Sequence, residues 1–481
     1  MSMEDGLRDR LYREPEDTPA GIVHLGLGAF FRAHGAIYIA EAMAKSGGDW
    51  GITGVSLQSP GTRDRLRPQG WAYTALELGP EGEKPQVVSV LREVLVAPED
   101  RQAVLDVMAA PQVRIVSLTV TEKGYCHEPS TGRLNRAHPD IRHDLAEPLP
   151  KSAPGFLVRA LQARRAAGLR PFTVLCCDNL PENGHVVQGV VLELARLIDP
   201  ALADWVEAEG AFPSTMVDRI VPATSPADLD RLEALTGTRD EAPVMHEPFR
   251  QWVVEDRFVD DARPDLASVG VQMVEDVTPF EHMKLRMLNG THSSLAYLGY
   301  LAGYETISDT VADPEFSAFV RGLWQEEIIP ALTPPPGVDL AAYADALHDR
   351  YANPAIRHRT WQIAMDGSQK LPQRILGTIA EARAAGRAVP GLTLAVAAWM
   401  RYVSGRDEAG QPIEVKDPLA PRLAELWQAD PARTVRGFLA LAEVFPPALR
   451  DDAGFADDLT AALSGLIEKG AKAMIEESVN A

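Results

Sequence analysis

The sequence predicts an α/β protein of two domains: a mostly parallel sheet over residues 1–278, then a largely α-helical domain over residues 279–481. Three observations carry this. Short apolar, β-rich runs alternate with helical patterns through the first part. The first of those runs, Gly-Ile-Val-His-Leu-Gly-Leu-Gly from Gly21 to Gly28, is a strand leading into a glycine turn. After about residue 280 the strand signals fade and alanine- and leucine-rich helical periodicity takes over.

In order along the chain, residues 23–25 end at the glycines and residues 33–45 follow with helical spacing. Residues 50–57, 114–121 and 172–177 are further short apolar strands, with a helical pattern at 156–167 between them. Strands of this kind alternating with helices form a parallel sheet covered on both faces. Residues 79–85 read as a polar hairpin connection that adds antiparallel strands. In the second domain residues 392–403, 419–428, 434–444 and 458–469 are helical, and Gly405 stands at a helix end. Three consecutive prolines make residues 333–337 a rigid connector. Residues 280–300 open this domain at the seam with the first, where ligand sites tend to form.

A chain of 481 residues exceeds one small core, and 46% hydrophobic with 24% charged residues is the balance of a globular protein. With 47 Lys plus Arg against 68 Asp plus Glu, the net charge is −21. Such a surface repels phosphate backbones and argues against nucleic-acid binding. It also means that an anionic substrate needs a local cluster of cations. Three cysteines (Cys126, Cys176, Cys177) offer neither a disulfide framework nor a Cys-x-x-Cys metal motif, and the adjacent pair reads as buried and inert. The charged residues 1–10 lack an apolar signal segment, and no run of 18 apolar residues exists to span a bilayer, so a cytoplasmic location is expected.

Gly26-Leu27-Gly28 after a strand lets the backbone approach a pyrophosphate, and the following helix start (Ala29, Phe30, Phe31) offers its N–H groups; this is how a dinucleotide-binding domain opens. Phe31 replaces the third glycine of Gly-x-Gly-x-x-Gly. The acidic residue that commonly binds the adenosine ribose after the second strand is missing. That stretch reads Gln58-Ser59-Pro60-Gly61-Thr62-Arg63, and Ser59, Thr62 and Arg63 are chemically suited to a 2′-phosphate.

Lys284, Asn289 and His292 form the second constellation, in Lys-Leu-Arg-Met-Leu-Asn-Gly-Thr-His. A lysine that exchanges a proton, an amide that holds an oxygen and an imidazole that orients them would serve carbonyl–alcohol interconversion. A free lysine, with a pKa of about 10.4, is a poor base at neutral pH, so burial must lower it. Asn289-Gly290 reads as a turn or helix break. Asn179 and Asn183 follow an apolar strand; Asn179 is the candidate oxyanion donor and Asn183 the cap of the next helix.

The spacing Lys284, Asn289, His292 resembles the mannitol dehydrogenase family, the polyol-specific long-chain dehydrogenases. The likeness spans nearly the whole chain: GIVHLGLGAFFRAH from Gly21, SLTVTEKGYC from Ser117, CDNLPENG from Cys177, STMVDRIVP from Ser214, EPFRQWV from Glu247 and KLRMLNGTH from Lys284. The resemblance implies a Rossmann-type N-terminal domain, a helical C-terminal domain, NAD as cofactor, no metal, a sugar-acid or polyol substrate, no membrane and a monomer. It makes Lys284 the general acid–base. Asn179 and Asn289 become the oxyanion hole, His292 the residue that holds substrate and lysine, and Glu281 the link from lysine to solvent. Asp218 lines the nicotinamide and substrate site. Within the family, RHRTWQIAMDGSQKLPQR from Arg357 resembles the fructuronate reductases (D-mannonate oxidoreductases). The mannitol 2-dehydrogenases carry a substrate-binding arginine where this chain has Gln362. They also tend to have glycine at the place of Lys123. A uronate carboxylate needs cations, and Lys123, Arg359, Lys370 and Arg374 are the candidates.

Overall fold

A computed structural model describes residues 10–15, 18–128 and 131–480; the charged segment read at residues 1–10 lies almost wholly outside them. The chain divides into two compact units, Met1–Thr278 and Pro279–Ala481.

Among the described residues the first unit holds eleven strands: β1 (Ala20–Leu25), β2 (Gly51–Ser56), β3 (Tyr73–Gly79), β4 (Gly82–Val88), β5 (Leu91–Val96), β6 (Ile115–Leu118), β7 (Thr173–Cys176), β8 (Thr215–Asp218), β9 (Val244–His246), β10 (Gln251–Glu255) and β11 (Gln272–Val274). The central sheet has the order β5-β2-β1-β6-β7, and every pair is parallel. Successive residues point to opposite faces. Val23, Leu25, Val116 and Val174 enter one core with Phe156 and Val190, while Ile22, Ile52 and Ile115 enter the other with Phe31 and Ile37. That is why β1 and β2 are buried throughout instead of alternating. The chain leaves β1 toward β2 on one side and returns to β6 on the other. The glycine turn thus stands at the topological switch point, where α/β sheets bind ligands.

The polar stretch 79–85 differs from its expected role. Only Pro80 and Glu81 form the turn; Gly82–Val88 is a strand, paired antiparallel to β3 with Gly79 opposite Gly82. It belongs to a separate sheet, β4-β3-β9, not to the parallel one. β4 is an exposed edge, so its glutamate, lysine and proline are compatible with a strand while reading as a loop. The helix expected at 33–45 is two helices, Ala29–Ala33 and Gly35–Ser46, divided at His34 (φ −132°, ψ −87°).

The second unit is helical in all its named elements. Its centre is Pro390–Tyr402, buried on nearly every side between Thr291–Leu301 and Ala453–Lys469. Proline at its first position suits a helix start, and Gly405 (φ 79°) follows its end. The helices expected at 419–428 and 434–444 are shorter, Ala420–Leu426 and Pro431–Leu439. No described helix is long and apolar enough to cross a membrane.

Candidate active site

The first group of candidates lies on the parallel sheet. Gly26 has φ +87°, and a Cβ there would sit 2.2 Å from the Thr119 carbonyl oxygen. Gly28 has ordinary backbone angles and is exposed; the nearest atom to a Cβ there is Gly26 O at 3.7 Å. The first glycine is therefore demanded by the fold, while the second leaves open backbone, as a bound pyrophosphate requires. Phe31 takes the place of the third glycine by stacking on His24 of β1, with ring centroids 3.4 Å apart and planes at 8°. Gly35 makes the room: a Cβ there would lie 2.6 Å from the Phe31 ring.

His24 is fully buried, hydrogen-bonded to Ser117 Oγ (2.8 Å) and Thr119 Oγ1 (2.9 Å). Burial pushes its pKa down to about 3, so the folded protein keeps it neutral. Unfolded, it would protonate near 6.5. A folded pKa below the unfolded one stabilises above the unfolded value and loses that contribution as pH falls toward the folded value. We expect the stability gap between wild type and His24→Asn to narrow by about 2 kcal/mol from pH 7 to pH 5. Urea titrations at both pH values measure this, and parallel losses in the two proteins would refute a buried neutral imidazole.

At the end of β7, Asp178 accepts hydrogen bonds from Val120 N (2.8 Å), Thr121 N (3.1 Å) and Tyr125 Oη (2.5 Å). It thereby ties down the turn Glu122–Tyr125, where Lys123 stands exposed. Asn179 is exposed beside it, at the C-terminal end of the strand. Asn183 is not the helix cap. It is the first residue of Asn183–Ile198, after Glu182 at φ 47°, and its buried amide donates to Asp178 O and Thr215 O and accepts from Thr215 N. It is a stitch between β7 and β8. Asp218, the last residue of β8, is buried opposite Gln251. All three cysteines are buried, and burial lifts the Cys126 thiol to about 12 and the Cys177 thiol well above its usual range.

The second group lies on one long helix. Thr278–Met283 passes into a π-helical turn, Lys284–Gly290, and then into Thr291–Leu301. Asn289-Gly290 does not break it; Gly290 is helical (φ −65°, ψ −53°). The glycine serves close packing, since a Cβ would lie 2.7 Å from the Arg374 carbonyl oxygen. The π turn has a consequence for the candidates. Residues five apart in an α-helix are about 140° apart around the axis. A turn closed by i→i+5 bonds brings them toward one face, so Lys284 and Asn289 share it, and His292 follows three residues on. Side chains satisfy the displaced carbonyls: Met287 O accepts from Trp324 Nε1 (2.8 Å) and Thr291 Oγ1 (2.6 Å), and Leu288 O from Tyr351 Oη (2.7 Å).

Lys284 is 8% exposed, and Glu281 lies part-buried one turn earlier. Asn289 Nδ2 is buried and has no hydrogen-bond partner among the described residues. An unsatisfied donor costs about 1–3 kcal/mol, which a fold retains where a ligand oxygen completes it. His292 stacks on Tyr351 (centroids 5.3 Å apart, planes at 24°) and meets the His358 ring edge-on at 4.7 Å. Burial first, then the charges of His358, Arg374, Arg350 and Lys370, hold its pKa well below the ordinary value.

The cationic candidates divide. Lys370 and Arg374 belong to the field at His292; Lys370 Nζ donates to Met365 O (2.6 Å) and Arg374 Nη1 to Ser293 Oγ (3.1 Å). Arg359 is 59% exposed and lies 3.6 Å from Glu305, among surface charges. Buried Arg350 was missed, because at the end of Leu340–Tyr351 it reads as an ordinary surface charge. His358 was also passed over; burial, then Lys370, lowers its pKa to about 4.

Known proteins match most of this chain. The Rossmann domain of mannitol dehydrogenase matches residues 20–268, and the mannitol dehydrogenase C-terminal domain matches residues 276–467. D-mannonate oxidoreductase of Escherichia coli (strain K12) is 48% identical over 94% of this chain and 94% of its own length. Mannitol 2-dehydrogenase of Pyricularia oryzae is 41% identical over 96% of this chain and 94% of its own. Among solved structures, Pseudomonas fluorescens mannitol 2-dehydrogenase, in ternary complex with NAD and D-mannitol, superposes with a TM-score of 0.87 at 40% identity, covering 98% of this chain and 97% of that one. Fold and sequence together define a dehydrogenase acting on CH–OH groups. The chain belongs to the mannitol dehydrogenase family.

Proposed function

We propose that this chain is an NAD(H)-dependent fructuronate reductase, interconverting D-fructuronate and D-mannonate. The observation that carries the substrate is the concentration of positive charge at His292, from Lys370, Arg374 and Arg350, in a chain of net charge −21. A substrate carboxylate is the natural partner of such a group. The 48% identity to a D-mannonate oxidoreductase, against 41% to a mannitol 2-dehydrogenase, supports the same choice. The glycine turn at the switch point, with open backbone at Gly28, fits a dinucleotide pyrophosphate.

The nicotinamide, when bound, supplies the hydride to the ketone carbon. Asn179 and Asn289 donate N–H bonds to the oxygen as it becomes an alkoxide, and the unspent Nδ2 of Asn289 suits that task. Protonated Lys284 delivers the proton to that oxygen; in the oxidation direction neutral Lys284 withdraws it. Neutral His292 orients substrate and lysine, Glu281 links the lysine to solvent, and Asp218 lines the nicotinamide side. Lys370 and Arg374 hold the carboxylate, with Lys123 and Arg359 as outlying candidates.

A second reading, a mannitol 2-dehydrogenase, is favoured by the superposition on an enzyme bound to D-mannitol. NAD⁺ reduction followed at 340 nm with D-mannonate and D-mannitol in parallel, repeated with NADP⁺, separates them. We expect mannonate to be preferred in kcat/KM by roughly 10²-fold or more, because mannitol offers these cations no carboxylate. Preference for mannitol would make those charges structural and overturn the assignment.

A further inference from the structure

We propose that Glu99 sets the coenzyme preference of this chain, by holding Arg63 in an ion pair and placing its own charge where the 2′-phosphate of NADP(H) would lie. The inference rests on the reading that the parallel-sheet unit takes the dinucleotide.

The loop after β2 is where such a sheet meets the adenosine ribose. Residues 57–63 contain no carboxylate, and Arg63 by itself would invite a 2′-phosphate. The structure shows that this arginine is already engaged. Nη2 donates to Glu99 Oε1 (3.2 Å), Nη1 donates to Glu99 Oε2, and Nε donates to Asp64 Oδ1 (2.9 Å). Glu99 reaches it because β5 lies beside β2. Ser56 stands opposite Val96, Ala97 N donates to Ser56 O (2.9 Å), and both loops leave the same edge of the sheet. Glu99, 36 residues away in sequence, thus supplies acidity that the β2 loop lacks.

One guanidinium between two carboxylates leaves the cluster with net negative charge. A phosphate dianion meets repulsion there, whereas a ribose with free hydroxyls finds acceptors. An exposed ion pair contributes little to stability. Its effect on a nearby dianion does not depend on that stability, because selectivity follows the sign of the local charge.

Fluorescence titration of the full chain with NADH and with NADPH tests this without any sugar substrate. Wild type should bind NADH more tightly. In Glu99→Gln the Kd for NADPH should fall roughly tenfold or more while that for NADH changes little, and in Glu99→Gln/Arg63→Ala the gain should vanish. An unchanged NADPH-to-NADH ratio in Glu99→Gln overturns the proposal, as does a gain that survives loss of Arg63. Failure of the wild type to bind either nucleotide would instead refute the dinucleotide reading itself. Thermal unfolding of each variant checks that the exposed substitutions leave the fold intact.

Discussion

Replacing Lys284 with methionine should lower kcat roughly 10²- to 10⁴-fold, the range that a positioned general acid–base supplies, and leave the Kd for NADH within about twofold. Methionine is the informative choice because the lysine is 8% exposed and its aliphatic stem is packed. Alanine would add a cavity to the loss of the amine. The surroundings favour a proton-exchanging lysine on physical grounds. Lys284 is buried, as are Met283, Met287 and Leu288 close to it in sequence, and the His292 imidazole on the same helix is held neutral. Proton transfer should leave its mark on the pH profile: the limb of kcat assigned to the lysine disappears in the variant, and small primary amines restore part of the rate only in Lys284→Ala, where the cavity admits them. A variant with kcat within tenfold of wild type would exclude Lys284 as the proton donor. So would one that turns over normally at saturating NADH but has lost affinity for it.

Much of the fold was legible because it rests on local periodicity. The buried runs of β1, β2, β6 and β7 and the all-round apolar helix Pro390–Tyr402 are written in consecutive residues. The candidate residues were legible by type and spacing, but their surroundings were not. Asn289-Gly290 carries a turn signature, yet the glycine is there because the Arg374 carbonyl packs against it, a contact 84 positions away that no local pattern encodes. The π turn could not be read either, since Trp324, Tyr351 and Thr291 stabilise it from other elements. β4 has the composition of a loop because an edge strand needs no apolar face. Arg63 is chemically suited to a 2′-phosphate, but its partner Glu99 comes from a neighbouring loop 36 residues away. In each case the local signal was real, and a tertiary contact decided its meaning.

The two glycines of the first turn should separate fold from ligand binding in one experiment. Gly26→Ala places a methyl group on a residue at φ +87°, with its Cβ 2.2 Å from the Thr119 carbonyl oxygen. That backbone cannot yield cheaply. Thr119 N donates to Leu25 O (3.0 Å), its hydroxyl donates to Gly26 O (2.9 Å), and the same hydroxyl oxygen meets buried His24. The left-handed conformation alone disfavours alanine by about 1–2 kcal/mol, and overpacking adds about 1–3 kcal/mol. Stability and NADH binding should therefore fall together. Gly28→Ala is the contrast. Its φ of −96° suits any residue, and the nearest atom to the new Cβ is 3.7 Å away, so stability should stay within about 0.5 kcal/mol of wild type. Yet the methyl would stand where a pyrophosphate oxygen approaches the backbone, and the Kd for NADH should rise roughly tenfold or more. Urea unfolding and NADH fluorescence titration on the two variants read both quantities. If Gly28→Ala bound NADH as wild type does, the turn would be only a structural corner, and the phosphates would have to be held elsewhere on the sheet's C-terminal edge.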